Sequence, residues 1–227
     1  MNFGSTHIIL GSGSPRRKQL LEELGWEFEV VVRNTSEDMP SDLQRGSMAI
    51  HLAEMKAAAF AGDLKANDLL ITADTIVCLD KRILNKPENE TEASRMLHSL
   101  SGRQHEVYTG VCLSTAMSQI CFSVESKVHF KILNDPEISA YINKCRPFDK
   151  AGSYGAQECL QIEMNPCSAE ELAFIQRIGK PDYFKNTLSQ SEGNHFPLIT
   201  KIEGSYFNVM GLPVVELWDH VENLLSN

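Results

Sequence analysis

A short apolar run that ends in small residues is the feature that most constrains how this chain can fold. The run His7 to Leu10 is followed by Gly11-Ser12-Gly13-Ser14 and then by Pro15. This pattern predicts a buried strand that leads into a tight loop. Serine is favoured at a helix N-cap and proline at the first helical position, so Ser14 and Pro15 predict the start of a helix. The sequence therefore contains a strand–loop–helix unit.

Helical and strand patterns alternate along the rest of the chain. Apolar residues at helical spacing predict helices near residues 48–59, 93–100, 135–144 and 214–225. Apolar runs predict strands at 28–32, 69–79, 107–113 and 120–132, and the last two are expected to be antiparallel. The segment 81–88 is turn-rich. Because βα units alternate with a hairpin, we expect an α/β fold with a mixed sheet and flanking helices.

The stretch from about 160 to 200 has a different character. It carries three prolines and the polar run Ser189 to Asn194, and only Ala169 to Ile178 has a helical pattern. We interpret residues 1–227 as a single domain with an insertion at about 160–200.

The charge balance argues against a nucleic-acid partner but permits a phosphorylated ligand. The chain has 21 Lys and Arg against 30 Asp and Glu, a net charge of −9. A broad DNA or RNA surface usually makes a domain basic. A small phosphorylated ligand needs only a few well-placed cations and a metal ion.

The sequence also predicts a cytoplasmic protein without a membrane partner. It has no run of about 20 apolar residues and no basic segment followed by a long apolar one, so neither a membrane span nor a secretory signal is expected. None of the cysteines forms a C-x-x-C pair, and we interpret them as buried reduced thiols rather than as a zinc or disulfide set. They are Cys78, Cys112, Cys121, Cys145, Cys159 and Cys167.

The loop between the first strand and helix is a candidate anion site. Its small residues let backbone N–H groups approach an anion, and the helix N-terminus adds positive potential. Arg16 and Arg17 follow, and guanidinium groups match phosphate oxygens. The alternative interpretation is a helix cap with two solvated arginines.

Asp74 is a candidate general base or Mg²⁺ ligand. It interrupts the apolar strand Leu70-Ile71-Thr72-Ala73-Asp74-Thr75-Ile76-Val77. A carboxylate in such a strand is costly unless it is paired or bound to a metal. The alternative is a carboxylate that caps a turn at a strand end. Other charged residues, each considered alone, are more typical of solvated positions: Glu37, Asp38, Lys56, Lys86, Arg103, His105, Asp149 and Lys150.

Several motifs in fixed order resemble the Maf family of nucleotide pyrophosphatases. Ser12 to Arg17 matches the family's S-x-S-P-R-R signature. The further matching blocks, which extend over nearly the whole chain, are Glu37, Lys56, Ala73-Asp74-Thr75, Asn85-Lys86-Pro87, Gly102-Arg103-Gln104-His105-Glu106-Val107 with Thr109, 149–157, Gly204-Ser205-Tyr206 and 208–213.

The resemblance implies a fold, a reaction and a cofactor. Maf proteins have an α/β fold similar to the inosine-triphosphate pyrophosphatases, with two lobes around a central cleft. They hydrolyse nucleoside triphosphates to the monophosphate and pyrophosphate with Mg²⁺ or Mn²⁺. Asp149-Lys150-Ala151-Gly152 and Gln157 resemble the subgroup that acts on dTTP, UTP and some modified pyrimidine nucleotides. Family members are often dimers, which leaves a homodimer open here.

The resemblance also implies roles for individual residues. Asp74 corresponds to the proton acceptor, and Arg16, Thr75 and Gln157 correspond to residues associated with substrate choice. We expect Asp74 and Glu37 to bind the metal. Lys56 and Lys86 are expected to act as catalytic residues beside Asp74 by holding phosphate oxygens. The substrate is expected to be bound by Ser12, Ser14, Arg16, Arg17 and Arg103 as well.

Two departures from the family keep alternatives open. Asn85 stands where the family usually has glycine before Lys-Pro, and the segment between Gln157 and Ile202 looks longer than usual. The longer segment could redirect the same chemistry to 7-methyl-GTP or a noncanonical purine triphosphate. A non-catalytic nucleotide-binding regulator of cell division is a further alternative, although such a protein has no need for Asp74.

Overall fold

A mixed seven-stranded sheet forms the framework of the chain. The structure is a computed structural model that describes residues 4–35, 39–40, 43–161, 163–183 and 195–225. The strand order is β2-β1-β3-β5-β6-β7, and β4 pairs with β3. Strand β1 is parallel to β2 and β3, whereas β4 is antiparallel to β3 and β7 to β6. The strands are β1 (His7–Leu10), β2 (Phe28–Val30), β3 (Asp68–Leu79), β4 (Arg82–Leu84), β5 (Gln104–Ser114), β6 (Gln119–Phe130) and β7 (Ile199–Glu203).

Helices accompany the sheet, as the sequence predicts. The described helices are α1 (Pro15–Glu23), α2 (Gly46–Ala58), α3 (Glu90–Leu100), α4 (Asp135–Cys145), α5 (Ala156–Cys159), α6 (Ala169–Arg177), α7 (Tyr206–Met210) and α8 (Val214–Leu225). Two 3₁₀ turns lie at Pro147–Asp149 and Ala151–Ser153. Within the described ranges, no helix is long and apolar enough to cross a membrane.

Local sequence signals account for most of these boundaries. The Ser14 side chain accepts a hydrogen bond from the Arg17 N–H and Pro15 opens α1, as predicted. Strand β2 ends at Val30, so the expectation that it extends to residue 32 is wrong. The segment 81–88, predicted only as turns, contains β4, because three residues there pair with β3. The predicted polar run Ser189 to Asn194 lies outside the described residues.

The chain divides into two compact units, each described by itself. The first lies within Met1–Thr75, Thr109–Val124 and Gly211–Asn227, and the second within Ile76–Tyr108 and Glu125–Met210. Strands β3, β5 and β6 contribute residues to both units. The predictions of a single domain with an insertion, and of a central cleft, stay predictions.

Helix α2 packs very closely against β5 in the first unit. A Cβ atom on Gly110 would lie 2.2 Å from the backbone carbonyl of Ala49, so only glycine fits at this point of β5. Leu10, Leu69 and Ile71 are fully buried and supply much of the apolar contact of β1 and β3. This packing places the side chains of α2 and β3 close enough to interact.

A buried carboxylate organises part of the second unit. Glu171 on α6 is 1% exposed. It accepts hydrogen bonds from the Ser205 hydroxyl and from the N–H groups of Ser168, Tyr206 and Phe207. The donors satisfy a charge whose burial would otherwise be very costly. They fix α6, which lies in the predicted insertion, to the start of α7.

Two cysteines are disulfide-bonded, which corrects the expectation that all of them are reduced thiols. Cys112 on β5 and Cys121 on β6 face each other in the hairpin and form the bond. The apolar pattern alone does not predict this pair, because the register of the hairpin decides which residues face each other. Cys78 and Cys159 are buried free thiols, as predicted, and Cys145 and Cys167 are free but only partly buried.

Candidate functional site

The guanidinium of Arg17 holds the loop after β1 in place. Its Nε donates to the Gly211 carbonyl at 2.8 Å, and its two terminal nitrogens donate to the hydroxyls of Ser12 and Thr75, each at 3.0 Å. Gly211 has a φ of 114°, a region that favours glycine. Arg17 is only 8% exposed, and this buried charge holds together three residues of the first unit that are distant from one another in the sequence.

The hydroxyl groups around Arg17 keep donor capacity for a ligand. The Ser12 oxygen accepts from Arg17 and, at 3.3 Å, from the Ser14 N–H. Because a hydroxyl that accepts such bonds still has a proton to donate, Ser12 can offer that proton to an anion. The oxygens of Thr75 and Thr109 lie 2.9 Å apart, and either hydroxyl can donate to the other. Thr109 was not predicted as a site residue, and the only sequence signal was its place in a matching motif block.

An ion pair joins Asp74 of β3 to Lys56 of α2. The Nζ atom of Lys56 donates to Oδ1 of Asp74, with the side chains 20% and 15% exposed. Ala73 and Ile76 are 0% and 4% exposed, and every residue of β3 except Asp74 and Thr75 is buried. The lysine compensates for the charge of this carboxylate, whose burial is otherwise costly. Lys56 considered alone is typical of a solvated residue, but the fold brings it to Asp74.

The chemistry of Asp74 fits one ligand of a hard divalent cation. Mg²⁺ is usually held by one or two carboxylates together with substrate phosphates. Lys56 bonds Oδ1, while Oδ2 receives no hydrogen bond from any described residue. Glu37, the second predicted ligand, lies outside the described residues.

The other predicted residues of the first unit lie at the start of α1. Ser14 is the N-cap, and its hydroxyl is partly buried. Arg16 is also partly buried, whereas Arg17 is buried. The neighbouring arginines therefore differ in how accessible they are to a ligand.

Three predicted residues belong to the second unit. Lys86 is exposed and follows β4. Arg103 is exposed, and one of its nitrogens donates to both carboxylate oxygens of Asp80 at 2.9 and 2.8 Å. Gln157 lies on α5 and is partly buried.

A polar cluster beside Gln157 was not predicted from the sequence. The Tyr141 hydroxyl donates to Oε2 of Glu158 and accepts from the Gly155 N–H, both at 3.0 Å. The Lys150 ammonium lies 3.0 Å from Asp149 and 3.6 Å from Glu158. Burial raises the pKa of Tyr141 well above its usual value, so this phenol stays a donor at neutral pH. The cluster fixes the turn on which Gln157 is carried.

The mixed sheet, the capped loop with its buried arginine and the lysine-paired aspartate define an α/β protein equipped to bind a phosphorylated ligand. The family described as Maf-like protein matches residues 7–165, and the chain belongs to it.

Curated relatives are similar over almost their whole length. A protein of Porphyromonas gingivalis named "dTTP/UTP pyrophosphatase" is 40% identical over 225 residues, which cover 98% of this chain and 96% of the relative. A protein of the same name from Phocaeicola vulgatus is 40% identical over 224 residues and 98% of both chains.

A solved structure with partial similarity is that of the Staphylococcus aureus Ham1 protein. It is 14% identical, with a TM-score of 0.41, and the match covers 55% of this chain and 72% of that chain.

Proposed function

We propose that this protein hydrolyses nucleoside triphosphates, above all dTTP and UTP, to the nucleoside monophosphate and pyrophosphate. Curated relatives at 37–40% identity carry the name dTTP/UTP pyrophosphatase. The observation that carries the proposal is the Lys56–Asp74 pair on a strand that is buried over most of its length. A module that only binds nucleotides has no need for a carboxylate at that position.

In the proposed reaction, water attacks the α-phosphate and Asp74 accepts its proton. Lys56 orients the carboxylate through Oδ1, which leaves Oδ2 for the water proton. A divalent cation, proposed as Mg²⁺ or Mn²⁺ on Asp74 and Glu37, would neutralise phosphate charge and make the water more acidic. Lys56 also places positive charge beside the site where phosphate charge develops.

The loop before α1 is proposed to hold the triphosphate. Ser12 has a hydroxyl proton to donate, and Ser14 lies at the helix N-terminus, where anions are favoured. Arg16 is proposed to contact phosphate directly. The fixed Arg17 is proposed to act mainly by holding Ser12 and Thr75 at the loop. Lys86 and Arg103 are proposed as further phosphate contacts.

The pyrimidine preference is assigned to Thr75 and Gln157. Both side chains offer donor and acceptor groups, and a site built on hydrogen bonds can strongly reject the wrong base. The alignment with the Porphyromonas relative spans 98% of this chain and so includes most of the predicted insertion. This shared segment supports the same substrate class in both proteins. The cytoplasmic location and a homodimer stay predictions.

A panel of substrates tests the reaction. Pyrophosphate release is measured from dTTP, UTP, CTP, GTP, ITP and 7-methyl-GTP, with Mg²⁺ and with EDTA. Metal-dependent turnover led by dTTP and UTP is expected. Turnover led by a purine would contradict the pyrimidine assignment, and turnover of none would favour a nucleotide-binding regulator.

Replacing Asp74 tests the proposed proton acceptor. Asp74→Asn is expected to lower kcat by about a hundredfold or more, the range for loss of a general base. Asp63→Asn is the matched control, because that aspartate is 58% exposed and pairs only with Arg33 among the described side chains. Circular dichroism confirms that both variants fold. An Asp74→Asn enzyme that keeps more than half of the wild-type rate would refute the role.

Replacing Gln157 tests the base preference separately. Gln157→Ala is expected to change the ratio of kcat/KM for UTP over GTP by roughly tenfold or more, because lost hydrogen bonds weaken discrimination. Glu163→Ala, an exposed residue nearby in the sequence, is the control. An unchanged ratio in Gln157→Ala would remove that residue from base selection.

A further inference from the structure

Three potential metal ligands converge in the first unit, apart from Asp74. They are the sulfurs of Cys112 on β5 and Cys121 on β6 and a carboxylate oxygen of Glu54 on α2, all within 4.8 Å of one another. The cysteines are adjacent across the hairpin, with Cα atoms 4.2 Å apart. This separation is that of a non-hydrogen-bonded pair, whose side chains approach each other closely.

The surroundings differ on the two sides of this group. Cys112 is fully buried in an apolar cluster that includes Ala53 and Ala57 of α2, and Cys121 packs against the same cluster while remaining partly exposed. Glu54 is exposed, and no described residue forms a hydrogen bond or ion pair with its carboxylate. One side of the group is therefore apolar and buried, and the other is open to solvent.

We propose that the reduced pair, Cys112 and Cys121, forms with Glu54 a binding site for Zn²⁺. Two thiolates and one carboxylate match the tetrahedral preference of zinc, with water in the fourth position. Thiolate ligands select against the hard cations Mg²⁺ and Mn²⁺. The site thus differs in chemistry from the one proposed at Asp74, and it does not depend on the proposed hydrolysis.

The disulfide and the zinc ion are alternative states of the same two sulfurs. Reduction by two molecules of a low-molecular-weight thiol breaks the S–S bond. The disulfide gains two electrons and two protons, and the two reductant molecules leave joined as their own disulfide. Zinc binding then displaces the two thiol protons into solvent. Each state excludes the other, because a sulfur in the disulfide has no thiolate to donate.

Helix geometry separates the Glu54 side chain from Lys56, the partner of the proposed proton acceptor Asp74. Glu54 and Lys56 are two residues apart on α2, and residues at that spacing do not face each other. A variant of Glu54 can therefore be studied without removing Lys56 from Asp74. Binding itself is the readout, and hydrolysis need not be measured.

Titration of the full-length protein with Co²⁺, a spectroscopic substitute for Zn²⁺, tests the proposal. Reduced protein is expected to bind one ion with a thiolate-to-cobalt charge-transfer band, and Zn²⁺ should displace the band. Oxidised protein should give no band. The double variant Cys112→Ser/Cys121→Ser should also give none, whereas Cys167→Ser, a partly buried thiol of the second unit, should behave as wild type.

Glu54→Gln changes an exposed residue, so it tests the site without altering the packing of the core. It is expected to raise the Kd for Co²⁺ by roughly tenfold or more, at least the loss seen when a ligand's outer-shell partner is removed. Three results would overturn the proposal: no charge-transfer band in reduced protein, an equal band in oxidised protein, or an unchanged Kd in Glu54→Gln.

Discussion

Lowering the pH from 7 to 5 is expected to destabilise the fold through His105, a buried histidine of β5. Its side chain lies among aromatic rings, with ring centroids 5.2 Å from Phe130 and 5.3 Å from Tyr154. Nε2 lies 2.7 Å from the Tyr154 hydroxyl, and Nδ1 is buried with no partner among the described residues. Burial, followed by the charge of His129, lowers the pKa of His105 from 6.5 to about 3.

The sign and size of the effect follow from these two pKa values. Between pH 3 and 6.5 the unfolded chain binds a proton that the folded chain does not bind, so unfolding is favoured as the pH falls. With pKa values of 6.5 unfolded and about 3 folded, the loss between pH 7 and pH 5 is about 2 kcal/mol. The stability is fully present above the unfolded pKa.

Urea denaturation at the two pH values measures this difference. Wild type is expected to lose about 2 kcal/mol more than His105→Gln between pH 7 and pH 5, because the variant cannot titrate at this position. His98→Gln is the control, because that histidine is 47% exposed and should behave as wild type. If wild type and His105→Gln lose the same free energy of unfolding, His105 is not held uncharged and the reasoning is refuted.

Two further predictions concern stability. Glu171→Ala leaves four donors in a buried site without their acceptor and should cost about 3 kcal/mol or more, whereas the exposed neighbour Glu170→Ala should cost less than about 0.5 kcal/mol. Equal midpoints in thermal unfolding would contradict this role. Gly110→Ala forces a Cβ into the backbone of Ala49 and should cost about 3 kcal/mol, against little change for Gly13→Ala, whose Cβ meets nothing within 3.4 Å. The midpoints of urea denaturation of the two glycine variants test this difference. A Gly110→Ala protein as stable as wild type would show that α2 can move away from β5.

The strand–loop–helix unit was predictable because its signals are local. A serine cap and a proline at the first helical position act within a few residues, and α1 begins at Pro15 as they require. The free-energy cost of burying a carboxylate in β3 is also evident from the sequence. Asp74 is therefore predictable as a candidate residue without knowledge of its partner.

The partners of these residues could not be predicted, because they come from distant parts of the chain. Lys56 is 18 residues from Asp74, and Thr75 is 58 residues from Arg17. Strand β4 has only three residues, and its conformation comes from pairing with β3 rather than from its own pattern. Only the resemblance to a family connected the separate motifs, and it did not indicate which arginine would be buried.

The hydrogen bond from Arg17 to Gly211 joins residues 194 positions apart. During synthesis at 5–20 residues per second, the ribosome makes Gly211 about 10–40 s after Arg17. Throughout that interval the Arg17 guanidinium lacks one of its acceptors, so the loop of the nascent chain is without the hydrogen bond to Gly211. The loop therefore reaches its complete set of hydrogen bonds only after translation has passed residue 211.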